Sequence, residues 1–366
     1  MKSLEEDHLV RVLPWMFVLF VLAGLAGCGR GSHHPAYVTL ANDDQVIGYS
    51  IFNNTGNLRA IAGSPFATGV SPFGVVAIPS KQFVYVANSG ESTISLFKSS
   101  SNGALKEVTP RANVGLRPLS LAIDSSGSFL FAGSVGANQI TAFAIDSGSG
   151  ALTQVGVPIS TESPSVLKVP SSGNFLYVAN SNTSTITAYA IGSNGSLTQI
   201  AGSPFAVGNN PSSIVFDASG SRMYVANLGS GTFSEFKVNS SSGFLTPFAG
   251  SPFTVNTANP VVTPTTPISV ALDSSGQYLY VACANSNNIF GYSVNGQGIP
   301  TQISGSPFTA TAPTFLVLDS SGKFLYASDQ TDKRISLYTI DTSNGALGGP
   351  AFFGTGTTPT GMFILP

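Results

Sequence analysis

The chain of 366 residues has few charged side chains, few cysteines and few histidines, and each shortage excludes a class of protein. Charged residues make up 9% of the sequence and the net charge is −2, so no basic face is available to bind nucleic acid. The two cysteines, Cys28 and Cys283, are too few for a disulfide framework. All three histidines (His8, His33 and His34) lie before residue 35, which excludes a histidine-ligated zinc site in the rest of the chain. We expect no cofactor.

The sequence also lacks a long helical period, and it contains instead a short segment that recurs at a fixed spacing. The type segment is FLYVAN, Phe175 to Asn180. The aromatic residues at its third position are, in chain order, Tyr37, Tyr85, Phe131, Tyr177, Tyr224, Tyr280 and Tyr326. A proline stands thirteen residues before each of the last six, and successive prolines are 46, 46, 47, 56 and 46 residues apart. A period of this length indicates a repeat architecture.

Each repeat divides into four short strands separated by turn residues. In the repeat that begins at Pro164 the strands read SVLKV, FLYVAN, TITAYAI and SLTQI. Four repeats carry an aspartate in the first turn, and we expect its carboxylate to accept backbone amides of that turn. These aspartates are Asp124, Asp217, Asp273 and Asp319. The last turn contains Asn-Gly in several repeats, which is a strong signal for a hairpin, and a GSPF segment follows the fourth strand four times.

A four-stranded sheet of this kind cannot bury both faces alone, so the seven repeats predict an all-β fold, a seven-bladed β-propeller. The first repeat starts at its second strand (Ala36–Leu40), and the chain ends with a spare first strand from Pro359 to Leu365. We therefore expect the two ends to complete one blade and close the ring. On this interpretation residues 36–366 form one propeller domain, with a surface loop near residues 256–266 in the fifth blade.

The N-terminal residues have the features of an export signal. Residues 12–26 form an apolar run, and Leu25-Ala26-Gly27-Cys28 resembles the lipobox of bacterial lipoproteins. We predict that residues 1–27 are a signal peptide, that Cys28 is lipidated and that residues 28–35 are a tether. Because Gly29 follows the cysteine, the predicted location is the cell envelope, anchored to the outer membrane. Cys283 would then lack a partner, and its place in a core strand predicts a buried, inert thiol.

The repeats resemble a known family in their pattern of proline, inner strand, Asp-x-Ser-Gly turn and Tyr-Val-Ala-Asn. The pattern resembles the YVTN-repeat propellers and the seven-bladed lactonase family, whose namesake is 6-phosphogluconolactonase. The likeness covers residues 36–366 and is carried by core and turn residues. It implies hydrolysis of a sugar lactone at the central opening of the ring.

Three charged residues are candidates for a site at the centre. Arg117 precedes the proline of its repeat, Glu162 lies two residues before Pro164, and Lys168 is the only charge at its position in the seven inner strands. Arg117 and Glu162 are expected to meet at the mouth of the channel, either as a surface pair or as part of an anion-binding mouth. Lys168 is expected deeper in the channel, about 16 Å further along at ~3.3 Å per residue.

Four acidic residues form a second candidate group on the same face. Asp43 and Asp44 follow the second strand of the first repeat, and Asp329 and Asp332 occupy the same region of the seventh. The two repeats are neighbours in a closed ring, and carboxylates in loops suit Ca²⁺. Since Lys333 and Arg334 follow directly and no loop has the spacing of a metal site, a solvated rim is the alternative, and the prediction is that no metal is bound.

Two functions from different classes remain open. The first is a lipid-anchored propeller, expected to be a monomer, that binds a small ligand or an envelope protein at its central face. The second is a lactone hydrolase, for which Glu162 is the candidate base beside Arg117 or Lys168. Histidine, the residue most often used as a base near neutral pH, is missing from the repeats. We therefore favour binding and expect no appreciable lactonase activity.

Overall fold

The computed structural model describes residues 33–80, 82–255, 265–294 and 299–365. The predicted signal peptide, the lipobox cysteine Cys28 and most of the predicted loop near residues 256–266 lie outside these ranges. The described residues contain strands and turns and no helix. They accordingly include no apolar helix of the length that a membrane span requires.

The strands form seven antiparallel sheets, each of which is one blade of a propeller. The fold class predicted from the repeats is therefore confirmed. The inner strands of blades 1 to 7 are Pro359–Ile364, Pro72–Ala77, Pro118–Ile123, Pro164–Lys168, Pro211–Phe216, Pro267–Leu272 and Pro313–Leu318. The second strands are His33–Leu40, Phe83–Asn88, Phe129–Ser134, Phe175–Asn180, Arg222–Asn227, Tyr278–Cys283 and Phe324–Asp329.

The third and outer strands complete each sheet. The third strands of blades 1 to 7 are Gln45–Phe52, Thr93–Ser99, Gln139–Ile145, Thr185–Ile191, Thr232–Val238, Asn288–Val294 and Arg334–Thr339. The outer strands of blades 2, 3 and 7 are single segments, Leu105–Asn113, Leu152–Ser160 and Ala351–Gly354. Blades 1, 4, 5 and 6 have their outer strands in two pieces: Leu58–Ala60 with Phe66–Ala67, Leu197–Gln199 with Phe205–Ala206, Leu245–Pro247 with Phe253–Thr254, and Pro300–Gln302 with Phe308–Thr309.

The GSPF segments explain the divided outer strands. Each begins between the two pieces and its phenylalanine starts the second piece, while its serine hydroxyl accepts an amide of the third strand at 2.9 Å. The accepted amides belong to Gly48, Ala188, Glu235 and Gly291. The hydroxyl thus supplies the hydrogen bond that a continuous strand would have made with its backbone.

Ring closure follows the prediction from the two chain ends. The inner strand of blade 1 pairs with the second strand of that blade, with Tyr37 opposite Phe363 and Val38 opposite Met362. The second strand begins at His33, three residues before the predicted start, because the third strand extends to Phe52 and offers it partners. Residues 33–35 of the predicted tether therefore belong to the sheet of blade 1.

The apolar core is divided into seven clusters, and each lies between two neighbouring blades. The cluster between blades 7 and 1 contains Tyr326 and Met362, so the closing contact is packed like the others. Cys283 is fully buried in the cluster between blades 5 and 6, and burial raises the pKa of its thiol to about 12. The prediction of an inert thiol is consistent with this location.

Tyrosines of five second strands tie their blades to the following ones. The Tyr85 hydroxyl donates to the carbonyl of Gly150 at 2.7 Å, in the last turn of the following blade. Four other tyrosines make the same bond, at 2.6 to 2.9 Å: Tyr37 to Gly103, Tyr177 to Gly243, Tyr280 to Gly345 and Tyr326 to Gly56. The glycine is required because its φ is positive (+76° at Gly150) and a Cβ there would lie 2.7 Å from the Phe83 ring.

Candidate functional site

The seven inner strands line a central channel with a cavity volume of about 710 Å³. One end, which we call the entry face, carries the residues just before each inner-strand proline. The other end, the turn face, carries the aspartate-containing turns. The walls are mostly apolar side chains such as Val76, Val215 and Phe363.

Hydroxyl groups along the inner strands connect one blade to the next. Each bond joins a serine or threonine hydroxyl to a backbone group of a neighbouring inner strand at 2.9 to 3.2 Å. The pairs are Leu167 with Ser120, Val270 with Ser213, Leu316 with Ser269, Ser165 with Pro211, Ser212 with Pro267, and Thr360 with Pro72. These hydroxyls are therefore structural, and they hold the ring at its centre.

Lys168 is the one cationic side chain among the described residues that line the channel. It is the last residue of its inner strand and lies towards the turn face, opposite Tyr177 of the second strand. Channel solvent reaches the side chain, but protein walls surround it, and this desolvation lowers the pKa of its ammonium. Within the described parts of the chain it has no ion-pair or hydrogen-bond partner.

The other charged residue of the channel wall is Asp124, at the turn face. Its carboxylate accepts the amides of Ser126 at 3.2 Å and Phe129 at 2.7 Å, as the sequence predicted for a turn aspartate. Asp217, Asp273 and Asp319 accept the amide five residues on in the same way. These carboxylates stabilise their own turns.

Arg117 and Glu162 lie on the entry face, and both side chains are exposed. Of the two expected arrangements, the surface pair is not among the described ion pairs, which involve Arg111, Arg222 and Arg334. Arg117 occupies a left-handed backbone position (φ 52°), which is shared by Ser71, Ser163, Asn210 and Ala312 before their own inner strands. The repeat fixes this backbone, but nothing in it directs the exposed side chains towards each other.

The four aspartates of blades 1 and 7 have separate contacts. Asp44 accepts the amide of Ser71 at 2.8 Å, and Asp43 accepts the hydroxyl of Thr357 at 2.6 Å. Asp329 and Asp332 both pair with Arg334, at 3.0 and 2.7 Å. Among the described residues no group of three or more acidic, histidine or cysteine side chains is placed to hold a metal ion.

One charged cluster, in blade 5, was not predicted from the sequence. Glu235 is fully buried in blade 5, where it accepts the Tyr224 hydroxyl at 3.1 Å and lies 3.5 Å from Arg222. Burial raises the pKa of the Glu235 carboxyl to about 7, against the opposing effects of Tyr224 and Arg222. A comparison of the repeats could have found it, since the residue opposite the tyrosine is Gly48, Leu96, Ala142, Ala188, Gly291 or Leu337 in the other blades.

A second cavity of about 540 Å³ opens on the turn face between blades 5 and 6. Its charged lining residues are Asp217, which caps its turn, and Arg222, which pairs with Glu235. Both charges are already engaged in structural contacts. The central channel, whose ammonium has no partner, is therefore the better candidate for a ligand site.

Comparison with known protein families identifies the family of this seven-bladed propeller. The family described as "Lactonase, 7-bladed beta-propeller" matches residues 31–169, 160–264 and 253–352. The chain belongs to this lactonase family. The resemblance drawn from the repeats is confirmed in this respect.

Solved structures share the fold at low sequence identity. A protein of Bacteroides fragilis, provisionally named a 6-phosphogluconolactonase, is 19% identical, with a TM-score of 0.79 over 92% of this chain and 98% of that one. The periplasmic gluconolactonase of Pseudomonas aeruginosa is 15% identical, with a TM-score of 0.79 over 92% and 99%. No curated protein matches this lactonase-family chain. At these identities the structural likeness establishes the fold alone.

Proposed function

We propose that this lactonase-family propeller binds a small anionic ligand in its central channel. The observation that carries the proposal is the Lys168 ammonium, which faces an apolar-walled channel and has no partner among the described residues. A ligand carboxylate or phosphate would supply the missing counter-charge. The hydroxyls nearby are neutral and already bond the backbone of the ring, so Lys168 would be the main determinant of affinity.

The charge of Lys168 makes the affinity for this ligand depend on pH. Desolvation lowers the pKa of free Lys168, and a bound anion would raise it again by stabilising the charged form. Binding should therefore take up protons, and the affinity should fall as the pH rises. The fall should begin at a pH below the ordinary pKa of a lysine side chain. A Lys168→Arg variant, whose guanidinium stays charged, should bind with little change over the same pH range.

The test is a melting-shift and calorimetry panel with gluconate, 6-phosphogluconate and neutral glucose as the comparison. We expect the anions to raise the melting temperature of the native protein and of Lys98→Met, an exposed lysine outside the channel. Lys168→Met should lose the shift. Equal binding by the Lys168→Met and Lys98→Met variants would show that the channel amine is not the site.

Arg117 is proposed to act at longer range. It is exposed on the entry face, about 16 Å from the depth of Lys168 at ~3.3 Å per strand residue, so the two cannot hold one small group together. Its charge should attract anions towards the channel, which affects association more than affinity. Arg117→Ala should slow association at low salt and leave the dissociation rate almost unchanged.

Lactone hydrolysis is the second candidate, and family membership supports it. Glu162 would be the base, with Arg117 or Lys168 as the electrophilic group. Glu162 and Arg117 form no ion pair, and Lys168 lies near the other end of the channel, so no compact group of base and oxyanion donor is assembled there. A proton-release assay with gluconolactone should give no enzyme-dependent rate. Turnover that disappears in a folded Glu162→Gln variant would establish the enzyme.

The anchoring of the propeller is a separate proposal. The lipobox at Leu25 to Cys28 supports cleavage before Cys28, lipidation of its thiol and attachment to the outer membrane. Mass spectrometry of the mature N-terminus should find a diacylglyceryl cysteine at Cys28. An unmodified cysteine, or a mature terminus at another residue, would refute the anchor without affecting the ligand proposal.

A further inference from the structure

The amine of Lys168 lies in an unusual place for a lysine side chain. It projects from the wall of a narrow channel, and the inner strands on both sides, Pro118–Ile123 and Pro211–Phe216, carry no titratable residue. Tyr177 on the paired second strand donates its hydroxyl to Gly243 at 2.9 Å, in the seam with the next blade. The turn acids of the two neighbouring blades, Asp124 and Asp217, both accept amides of their own turns.

Lys168 is the only charged residue at its position in the seven inner strands. At the same place the other blades have apolar residues: Val76, Ala122, Val215, Ala271, Val317 and Phe363. These side chains line the same channel as the amine, and none of them carries a counter-charge. Desolvation in the channel gives this amine a larger neutral fraction than an exposed lysine has, and the neutral form is the nucleophilic one.

We propose that Lys168 is a reactive amine that forms a reversible imine with small aldehydes entering the channel. In this reaction the nitrogen lone pair attacks the carbonyl carbon, a carbon–nitrogen bond forms, and the carbonyl oxygen leaves as water after proton transfer. Hydrolysis reverses the step. No oxidant or reductant is needed, and the ligand class is a compact aldehyde, including the open-chain form of a small sugar.

Two observations support the proposal independently. No described carboxylate forms an ion pair with the amine, and the one carboxylate on the channel wall, Asp124, accepts amides of its own turn, so no salt bridge holds Lys168 in the charged form. Desolvation lowers its pKa, which raises the share of neutral amine near neutral pH. The other described lysines (Lys98, Lys106, Lys237, Lys323 and Lys333) lie outside the channel and serve as internal standards.

The inference goes beyond the proposed anion binding, although it concerns the same side chain. Imine formation requires the neutral amine, whereas anion binding requires the ammonium. The two are measured separately, so either can fail alone. Loss of the melting shift with gluconate would not remove an aldehyde adduct, and absence of the adduct would not remove the shift.

The test is reductive trapping in the folded, full-length protein. Glycolaldehyde and sodium cyanoborohydride are added between pH 6 and 9, and the hydride converts any imine to a stable secondary amine. Peptide mapping by mass spectrometry then gives the labelling rate of each lysine. We expect Lys168 to be labelled severalfold faster than Lys98 and Lys237 at pH 7, and its rate to reach half of its maximum at a lower pH.

Two controls separate reactivity from access and from folding. The pH of half-maximal rate does not depend on how easily the reagent enters, so slow entry cannot hide the effect. In urea the rate of Lys168 should fall to that of the other lysines, and Lys168→Arg should lose the channel adduct with an unchanged circular dichroism spectrum. A half-maximal pH for Lys168 equal to that of Lys98, or no labelling at Lys168, would overturn the proposal.

Discussion

Single residues that depart from the repeat carry most of the chemistry of this propeller. Lys168 puts a charge where the other inner strands are apolar, and Glu235 puts a carboxyl where the other third strands have Gly, Ala or Leu. Both departures are visible in an alignment of the seven repeats. Their consequences are not, because desolvation depends on the ring that surrounds each residue.

Glu235 makes the stability of the protein depend on pH. Burial raises the pKa of the carboxyl in the folded state from its ordinary 4.5 to about 7, so between these values the folded state binds a proton that the unfolded state has already lost. The native protein should lose up to about 3 kcal/mol as the pH rises through this window. Glu235→Gln, which stays neutral, should gain relative to the native protein over the same range and level off above it.

Urea unfolding of both proteins at pH 5 and pH 8 measures the difference. Glu162→Gln is the matched control, because Glu162 is exposed and has no ion-pair partner among the described residues. Its effect should be the same at both pH values. An effect of Glu235→Gln that is also the same at both would mean that the carboxyl is ionised at pH 5.

At the scale of strands and turns, the features that the sequence predicted were ones that recur from repeat to repeat. The period predicted the four strands of each blade, the aspartate turns and the closing strand, because those features depend on local residues and on alternation of apolar side chains. It did not predict the Tyr85–Gly150 bond or its equivalents. Both partners lie in segments of the repeat, a second strand and a last turn, but they are 65 residues apart and meet only after two blades have packed.

The Arg117–Glu162 surface pair, one of the two arrangements expected from the sequence, is absent from the described ion pairs for a related reason. The repeat fixes the backbone before each inner strand, including the left-handed residue, but it does not fix exposed side chains on neighbouring loops. Such side chains gain little from pairing in water. The turn aspartates, which bond their own backbone, were therefore predictable from sequence, and the arrangement of the exposed charges was not.

The inter-blade tyrosines should contribute measurably to stability. Tyr85→Phe removes the hydroxyl that donates to Gly150 and leaves a buried carbonyl without its partner, at a cost of about 1–3 kcal/mol. Tyr278→Phe is the control, since this tyrosine makes no such bond and four other blades have phenylalanine at its position. Chemical denaturation should give a lower midpoint for Tyr85→Phe only. Equal midpoints for the two variants would show that the bond adds nothing to stability.

At the scale of the whole molecule, the ring is a set of seven similar contacts between blades. The core consists of clusters between neighbours, and the described residues place one such cluster at the junction of blades 7 and 1. Each blade is thus stabilised by its two neighbours, as in other repeat proteins. Opening the ring at one junction exposes two blade faces at once, which makes the closing strand more important than its length suggests.

Removal of the closing strand is the strongest test of this architecture. A chain that ends after Gly354 loses the inner strand Pro359–Ile364 and exposes the edge of the second strand of blade 1, from Ala36 to Leu40. It also loses Met362, which is 4% exposed. Because truncating a buried methionine to alanine costs about 2–5 kcal/mol, the single change Met362→Ala should already destabilise the protein. The truncated chain should be insoluble or melt far below the Met362→Ala variant, because backbone pairing is lost as well. A peptide of residues 355–366 added during refolding should restore part of the melting temperature by occupying the open edge. A truncated chain that melts like the full-length protein would mean that the closing strand does not hold the ring together.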